Sequence, residues 1–295
     1  MGSGAELVLL AGAVLRVPAR RLRALARGDD GALRDWIANE SAQRLAEARR
    51  DARAALERVL AAGGRVVTLA DPEYPAGVRE LADPPAFLIV RGRLGRSPWR
   101  EGVAIVGTRE ADEEATAMAR ALAGRSAGPV VSGLACGVDA AAHEGALAAG
   151  VATIAYVGNG LGATYPAEHR ELEERIVEAG GAVASEMLPG EKATRWSLVR
   201  RDRLQAAHAA AVVLVQSELG GGAMHTMGFA RELGRPRFAL EPRAGGRYDG
   251  NARAIDEGAV ALPWELEVAM ENVRSGFVRG ALRQAPLRQA RGDDG

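Results

Sequence analysis

Residues 103–161 hold three short apolar runs, and each run ends in a turn that contains glycine. In chain order they are Val103-Ala104-Ile105-Val106 before Gly107-Thr108-Arg109, Val130-Val131-Ser132 before Gly133-Leu134, and Thr153-Ile154-Ala155-Tyr156-Val157 before Gly158-Asn159-Gly160. Runs rich in β-branched residues favour strands, and glycine lets the backbone after a strand approach an oxygen-rich ligand closely. The pattern therefore predicts three strands whose carboxyl ends share one phosphate-binding edge.

The sequence on the carboxyl side of this stretch continues an alternation of strand and helix. We predict strands at about 103–106, 129–132, 152–157, 182–185, 211–215 and 237–240, with helices near 111–124, 138–149, 167–179, 196–208 and 223–233. Strands that are apolar on both faces and alternate with amphipathic helices indicate a mostly parallel sheet covered on two sides. The predicted fold class is α/β, a doubly wound Rossmann-like sheet with its ligand beyond the carboxyl ends of the strands.

The sequence before this sheet has a different pattern. Residues 5–62 carry apolar side chains at three-to-four spacing, which predicts helices, and two short runs at 65–69 and 87–92 are predicted to extend the sheet. The chain thus divides into three predicted units: an N-terminal helical domain over residues 1–62, a Rossmann-like domain over 63–265, and a short helix with a disordered tail over 266–295.

The overall charge of the 295-residue chain limits the ways in which it can attract partners. Its 38 lysines and arginines equal its 38 aspartates and glutamates, so no global field draws it to nucleic acid or an anionic membrane. Any anion must be bound by a local patch. No apolar stretch approaches the roughly 20 residues of a membrane span. The single cysteine, Cys136, fits a reducing compartment, and we expect a cytoplasmic protein.

The turn Gly107-Thr108-Arg109 lies between a predicted strand and a predicted helix. Its backbone N–H groups and the helix N-terminus would face an anion, and Arg109 would add a bidentate grip on phosphate. The alternative is a plain tight turn with a surface arginine. The dinucleotide fingerprint G-x-G-x-x-G and the Walker A pattern are both absent from the sequence.

Other titratable residues give weaker signals. Asp139 and His143 are four residues apart, which suits either a hydrolytic pair or a cap with a satisfied histidine that holds the turn, and we favour the second interpretation. The remaining histidines show no metal-ligand spacing with each other or with Cys136. We therefore predict no metal site, no cofactor and no catalytic residue.

The densest basic cluster of the second half precedes the predicted strand at 211–215. It contains Lys192, Arg195, Arg200, Arg201 and Arg203. A solvated helix face and a polyanion contact are both compatible with this pattern.

The order of several motifs is similar to that of a known family. The segments are Asp71-Pro72-Glu73-Tyr74-Pro75, Asp83-Pro84-Pro85, Ile105-Val106-Gly107-Thr108-Arg109, Ser132-Gly133-Leu134-Ala135-Cys136-Gly137-Val138-Asp139, Gly158-Asn159-Gly160-Leu161 and Gly250-Asn251. Residues 66–262 thereby resemble the DprA/Smf family, the DNA-processing proteins of bacterial transformation.

This resemblance implies a non-enzymatic homodimer that binds single-stranded DNA in a basic pocket. It also implies that the protein loads a RecA-type recombinase during natural transformation, in DNA uptake and recombination. The phosphate and nucleic-acid contacts predicted from the glycine turns and the resemblance are Gly107, Thr108, Arg109, Ser132, Gly133, Gly158, Asn159, Gly160, His169, Arg201, Arg203, Gly222 and Thr226.

Two departures from the family pattern concern the predicted DNA site. His169 stands where the family carries an asparagine, and Asp202 replaces the asparagine between the two arginines. An aspartate accepts hydrogen bonds only and repels phosphate, so this change weakens the expected contact. We also expect no C-terminal winged helix after Pro263.

Two other functions use the same sequence features. The first is a nucleotide sensor or phosphoribohydrolase-like enzyme that holds a nucleotide in the same phosphate-binding edge. The second is a protein-interaction module whose N-terminal helices and sheet edge bind a partner.

Overall fold

The computed structural model describes residue 12 and residues 17–29, 38–95, 102–244 and 246–284, the last eight by their backbone alone. The predicted disordered tail lies outside the described residues, apart from Gln284. No helix in these ranges is long and apolar enough to cross a membrane.

Nine described strands form one sheet. They are β1 Gly64–Thr68, β2 Phe87–Gly92, β3 Val103–Val106, β4 Val130–Ser132, β5 Thr153–Tyr156, β6 Ala182–Ser185, β7 Ala211–Leu214, β8 Arg237–Leu240 and β9 Val260–Leu262. Their spatial order is β1-β2-β6-β5-β4-β3-β7-β8-β9. The strands β6, β5, β4, β3, β7, β8 and β9 run parallel to one another. At one side of the sheet, β2 pairs antiparallel with β6, and β1 pairs antiparallel with β2. The predicted fold class is confirmed, and the two early runs do extend the sheet.

The described helices connect these strands. They are α1 Ala19–Ala26, α2 Ala42–Ala61, α3 Ala76–Arg79, α4 Glu113–Gly124, α5 Val138–Ala148, α6 Arg170–Glu178, α7 Arg195–His208, α8 Ala223–Glu232, α9 Asp249–Asp256 and α10 Leu266–Gln284, with a 3₁₀ turn at Ala167–His169 before α6. The prediction missed α9 and β9. It was wrong to describe the piece after Pro263 as short, since α10 has 19 residues.

Alternate residues of the central strand explain why helices cover both faces of the sheet. In β3, Val103 and Ile105 join the apolar cluster of α4, α5 and α10. Ala104 and Val106 point to the other face and join the cluster that includes α7 and α8. All four side chains are buried, as expected for a central parallel strand.

The N-terminal helices pack on the same core as the antiparallel strands. Leu22 of α1 and Leu56 and Val59 of α2 belong to one apolar cluster with residues of β1 and β2. The described helices therefore share apolar packing with the sheet. The domain boundary at residue 62 stays a prediction.

The strand order reverses between β3 and β7. Strands β3 to β6 are added on one side of the sheet, and α7 then carries the chain back to β7 on the other side of β3. Such a switch point leaves a crevice beyond the carboxyl ends of the two strands, where open α/β sheets bind ligands. The three glycine turns lie at this edge.

Candidate functional site

A cavity of about 640 Å³ lies at the switch point, and we call it the cleft. It is bounded by the turn after β3, the loop after β7 and the first half of α7. Its lining includes Gly107, Thr108, Arg109, Glu110, Asp139, Tyr165, Arg195, Leu198, Arg201, Asp202, Glu218, Gly222, His225, Thr226 and Arg247. A smaller recess of about 40 Å³, here called the recess, adjoins it and is lined by Arg109, Gly133, Ala135, Cys136, Gly158, Tyr165, Pro166, Leu198 and Arg201.

The turn after β3 is held rigidly against its neighbours. A Cβ on Gly107 would lie 2.5 Å from Val138 Cγ2 and 2.9 Å from the Gln216 carbonyl oxygen, so a larger residue does not fit. The N–H of Thr108 donates to the same Gln216 carbonyl at 2.7 Å. Arg109 is exposed and takes part in no hydrogen bond or ion pair recorded among the described residues. Its guanidinium is therefore available to a ligand in the cleft.

The N-terminus of α4 is already occupied, contrary to the prediction that it faces an anion. Asp112 caps it by accepting from the N–H of Ala115 at 2.8 Å. The same carboxylate accepts from Gln216 Nε2 at 2.8 Å and from the Tyr248 hydroxyl at 2.9 Å. With acids also in the first turn, this helix end is negative and unfavourable for phosphate.

Arg201 forms part of the floor of the cleft. Its Nη1 donates to the carbonyl oxygens of Gly133, at 2.5 Å, and Tyr156, at 2.7 Å, which follow β4 and end β5. Its Nε lies 3.0 Å from Asp202 Oδ1, and its Nη2 lies 4.0 Å from Asp139 Oδ2. The buried guanidinium thus joins α7 to two strand ends, and its charge is partly neutralised before any ligand arrives.

The two buried carboxyls beside Arg201 have raised pKa values. Burial raises the pKa of Asp202 to about 7, although the charge of Arg201 opposes the shift. Burial also raises the pKa of Asp139, again against Arg201. Both groups carry less negative charge near neutral pH than ordinary carboxylates do.

The charges that line the cleft balance in number. Four arginines (Arg109, Arg195, Arg201 and Arg247) face four acids (Glu110, Asp139, Asp202 and Glu218). Arg247 is paired with Glu110 and with Glu218 across the mouth of the cleft. The free positive charge is therefore concentrated at Arg109 and at Arg195, which is exposed at the start of α7.

Five predicted phosphate contacts are buried and do not line the cleft, so their contact with phosphate stays a prediction. The Ser132 hydroxyl donates to the Ile105 carbonyl at 2.7 Å, and Asn159 Nδ2 donates to the Ala163 carbonyl at 2.6 Å. The remaining three are glycines at which a Cβ would collide with a neighbour. It would meet Arg201 at Gly133, Leu198 at Gly158 and the Leu188 carbonyl at Gly160. Only Gly133 and Gly158 reach a surface, that of the recess. These residues let other groups pack closely and so shape the floor.

Arg203 does not line the cleft, and its contact with phosphate also stays a prediction. It is 5% exposed, and its Nη2 lies 2.5 Å from Glu186 Oε1. Arg200, three residues earlier on α7, also pairs with Glu186, at 3.4 Å. Helical spacing places these two arginines on one face of α7, and Arg201 on another.

Gly222 and Thr226 do lie in the cleft, where the loop after β7 leads into α8. A Cβ on Gly222 would meet nothing within 4 Å, and the N-terminus of α8 has no side-chain cap. Thr226 is 1% exposed and lines the wall behind it. The N–H groups of Met224 and His225 donate to the carbonyls of Gly221 and Gly222, whereas those of Gly222 and Ala223 are open to an anion.

His169 lies beside the recess rather than in the cleft. Its Nδ1 donates to the Leu134 carbonyl at 2.8 Å. Cys136, Glu168 and His169 each offer a ligand atom, and these three atoms lie within 4.8 Å of one another. Burial and a hydrogen bond to Glu168 raise the pKa of the Cys136 thiol. The prediction that Cys136 has no metal-ligand neighbours missed this cluster, because it considered spacing in the sequence alone.

Asp139 and His143 match only in part the interpretation of a cap with a satisfied histidine, since Gly137 is the cap residue and the buried Nε2 of His143 has no hydrogen-bond partner among the described residues. The carboxylate of Asp139 accepts from the N–H of Ala135 at 3.3 Å and holds the turn, although it is not the cap residue of α5. His143 is fully buried, and its Nδ1 lies 2.7 Å from Thr153 Oγ1. Burial lowers the pKa of His143 to about 3, so the ring is neutral at neutral pH. His143 also lies outside the lining of the cleft.

Arg195, Tyr165 and Arg247 are among the lining residues that the site prediction missed. Arg195 was recognised in the basic cluster without a site role, and the pattern of glycine turns did not indicate Tyr165. Arg247 lies in the loop after β8, and only its position at the carboxyl end of a parallel strand would have indicated it. Tyr165 is 44% exposed.

Comparisons with known proteins show which family the chain is similar to. A family model described as DNA recombination-mediator protein A matches residues 65–273. Protein Smf of Synechocystis is 36% identical over 179 residues, which is 58% of this chain and 44% of that protein, so the chain spans less than half of this relative.

Two solved structures are similar over most of the described sheet. DNA processing protein A of Streptococcus pneumoniae has a TM-score of 0.67 at 24% identity, over 93% of both chains. DNA processing protein A of Helicobacter pylori, a protein described with a single-stranded DNA binding mode, has a TM-score of 0.60 at 27% identity, over 72% of this chain and 96% of that chain. By the match of the family model to most of its length, the chain belongs to the DNA recombination-mediator protein A family.

Proposed function

We propose that this protein binds single-stranded DNA in the cleft, through the backbone phosphates. The observation that carries this proposal is the exposed, unpaired guanidinium of Arg109 on a turn that Gly107 and Gln216 hold rigid at the switch point. Arg195 and the open N-terminus of α8 provide further positive potential around the same cleft. A flexible strand of phosphates suits such a set of separated anion positions.

The aromatic residue at the edge of the cleft supports a nucleic-acid ligand. Tyr165 lines both the cleft and the recess and is 44% exposed, so its ring is available to stack on a base. Stacking of this kind tolerates any base, since every base has a π-face. The Helicobacter pylori relative, a single-stranded DNA binder, supports the same ligand for this chain.

The wider role follows from membership of the family. We propose that the protein acts without catalysis in DNA uptake, natural transformation and recombination, as a cytoplasmic homodimer that loads a RecA-type recombinase. These assignments rest on the resemblance, and co-purification with a recombinase and light scattering of the purified protein test them separately.

Substitution of Arg109 tests the DNA site directly. Arg109→Ala should weaken oligonucleotide binding about equally for all sequences and reduce the slope of log K against log salt by about one, because one phosphate contact is lost. Gel shifts with single- and double-stranded oligonucleotides at two salt concentrations measure this. Arg53→Ala, an exposed arginine on α2 far from the cleft in sequence, is the matched control. Equal affinities of wild type and Arg109→Ala would contradict the proposal.

A nucleotide ligand is the second candidate, and the size of the cleft favours it. About 640 Å³ is typical of a small-molecule site, and the balanced charges suit a ligand with few phosphates. A rise in melting temperature with one member of a nucleotide panel, without an oligonucleotide shift, would select this function over DNA binding.

A further inference from the structure

We propose that Cys136, Glu168 and His169 bind a zinc ion at the edge of the recess. The three residues come from two segments, the turn before α5 and the 3₁₀ turn before α6, and the fold brings them together. Each offers one ligand atom, and these atoms lie within 4.8 Å of one another. Cys136 Sγ is already 3.2 Å from Glu168 Oε1.

The donor set selects the metal. A thiolate, an imidazole and a carboxylate together are ligands of zinc, whereas calcium and magnesium prefer oxygen alone. Ligands at about 2.0–2.3 Å from a tetrahedral zinc stand about 3.5 Å apart. The Cys136–Glu168 separation of 3.2 Å already fits this geometry, so a contraction of up to about 1 Å is needed only in the distances to His169.

The histidine is oriented for this role by a group outside the cluster. Its Nδ1–H donates to the carbonyl oxygen of Leu134 at 2.8 Å, which leaves the lone pair on Nε2. Leu134 has a φ of 64°, and it is the one non-glycine residue of the described chain with a positive φ. Histidines that bind zinc characteristically donate their second ring N–H to a backbone carbonyl or a carboxylate.

Binding exchanges a proton for the metal. The Cys136 thiol releases its proton to solvent, a sulfur–zinc bond forms, and the hydrogen bond from sulfur to Glu168 is replaced by a carboxylate–zinc bond. Three protein ligands leave one position for water or another ligand. About one proton should therefore be released for each ion bound.

The open position would face the ligand of the cleft. Cys136 lines the recess together with Arg109 and Tyr165, so a zinc ion would add positive charge beside the proposed phosphate contact. This consequence rests on the proposed function, whereas metal binding itself does not. Zinc is expected to raise oligonucleotide affinity by about tenfold, the effect of one further strong phosphate interaction.

Cobalt serves as the probe, because Co²⁺ occupies zinc sites and absorbs visible light. The full chain, kept reduced with a phosphine and free of metal, is titrated with Co²⁺ in the absence of DNA. We expect saturation at one ion per chain, with intense tetrahedral bands and a sulfur-to-cobalt charge-transfer band in the near ultraviolet. Added Zn²⁺ should remove these bands by displacement, and the released proton is counted with a pH indicator.

Substitutions identify the ligands. Cys136→Ala should abolish the charge-transfer band, and Glu168→Gln and His169→Ala should each lower affinity by at least about tenfold. Glu171→Gln, an exposed acid at the start of α6, is the matched control and should bind as wild type does. If Cys136→Ala does not fold, the exposed Glu168→Gln variant still decides.

Two results would overturn the proposal: no charge-transfer band in the wild-type protein, or equal Co²⁺ affinities of wild type and Glu168→Gln. Oligonucleotide titrations with and without Zn²⁺ then form a separate arm. Tetrahedral Co²⁺ binding without any oligonucleotide binding would retain the metal site and reject the proposed function. Oligonucleotide binding by a protein that binds no metal would retain the proposed function and reject the metal site.

Discussion

Replacement of Asp202 by asparagine is expected to strengthen phosphate binding in the cleft and to remove most of its pH dependence. Asp202 is 6% exposed, and burial raises the pKa of its carboxyl from 3.8 to about 7, against the opposing charge of Arg201. The folded protein therefore carries a neutral Asp202 at lower pH and a carboxylate at higher pH. Because a carboxylate repels phosphate, affinity should fall as the pH rises through about 7.

Two magnitudes follow from this environment. A pKa that moves from 3.8 to about 7 disfavours the charged form by about 4 kcal/mol, at about 1.4 kcal/mol per unit. Because the pKa of Asp202 is higher in the folded than in the unfolded protein, the fold has its full stability below a pH of about 4, where Asp202 is protonated in both states. This stability is lost as the pH rises to about 7. A phosphate about 8 Å from the carboxylate is repelled by about 2 kcal/mol at an effective dielectric constant of about 20, which is about 30-fold in affinity.

Anisotropy titrations of a labelled oligodeoxythymidine at a pH of about 6 and of about 8.5 measure the effect on binding. Both proteins carry His225→Gln, so that the exposed imidazole of the cleft does not contribute. The protein with Asp202 should lose about 30-fold in affinity between the two conditions. Asp202→Asn should lose less, because it lacks the carboxyl that titrates near a pH of about 7.

Urea unfolding at a pH of about 4 and of about 8.5 measures the effect on stability. Asp202→Asn should be more stable than the parent at the higher pH, by up to about 4 kcal/mol, and similar to it at a pH of about 4. Asp51→Asn on α2 is exposed and should change neither quantity. Identical pH profiles of binding for Asp202→Asn and its parent would refute the reasoning, since the buried carboxylate would then have no influence on the cleft.

Three further substitutions test how the floor of the cleft is held together, with urea unfolding as the assay. Arg201→Ala should cost about 3–5 kcal/mol, because it leaves two buried carboxyls without their partner; a cost below about 1 kcal/mol would contradict its role in joining α7 to the strand ends. Gly133→Ala places a Cβ 1.7 Å from Arg201 Nη1 and should cost about 1–3 kcal/mol, whereas Gly228→Ala in α8 meets nothing within 4 Å and should be neutral or stabilising. Tyr156→Phe removes the 2.8 Å bond to His208 Nδ1 and should cost about 1–2 kcal/mol; an unchanged midpoint would show that water replaces it.

The strands were predictable from the sequence because their burial is continuous. The four residues of β3 and of β7 are all apolar and all buried, so period and composition agree with the position of each strand in the sheet. β9 was missed because it is an edge strand of three residues, and Val260 within it is 51% exposed. An edge strand obtains its pairing from its neighbour β8, which local sequence does not report.

Only some of the predicted site residues line the cleft, and the reason is the direction of side chains. Glycine after a strand indicates close approach of another group, but not which group approaches. At Gly107 the approaching groups are Val138 and Gln216, and at Gly133 the guanidinium of Arg201. The glycines that looked like contacts for phosphate are therefore largely contacts for the protein itself.

The sequence by itself determined the α/β class and the family resemblance, and it predicted Arg109 as a phosphate contact, because these depend on local periodicity and on the order of motifs. Only the tertiary structure decided that Arg201 lies in the floor while Arg203 turns away to Glu186, since one helix residue changes the direction of a side chain by about 100°. It also decided that Cys136 meets Glu168 and His169 across more than thirty residues of chain. Such proximity arises from packing of the sheet and helices, which spacing along the chain does not encode.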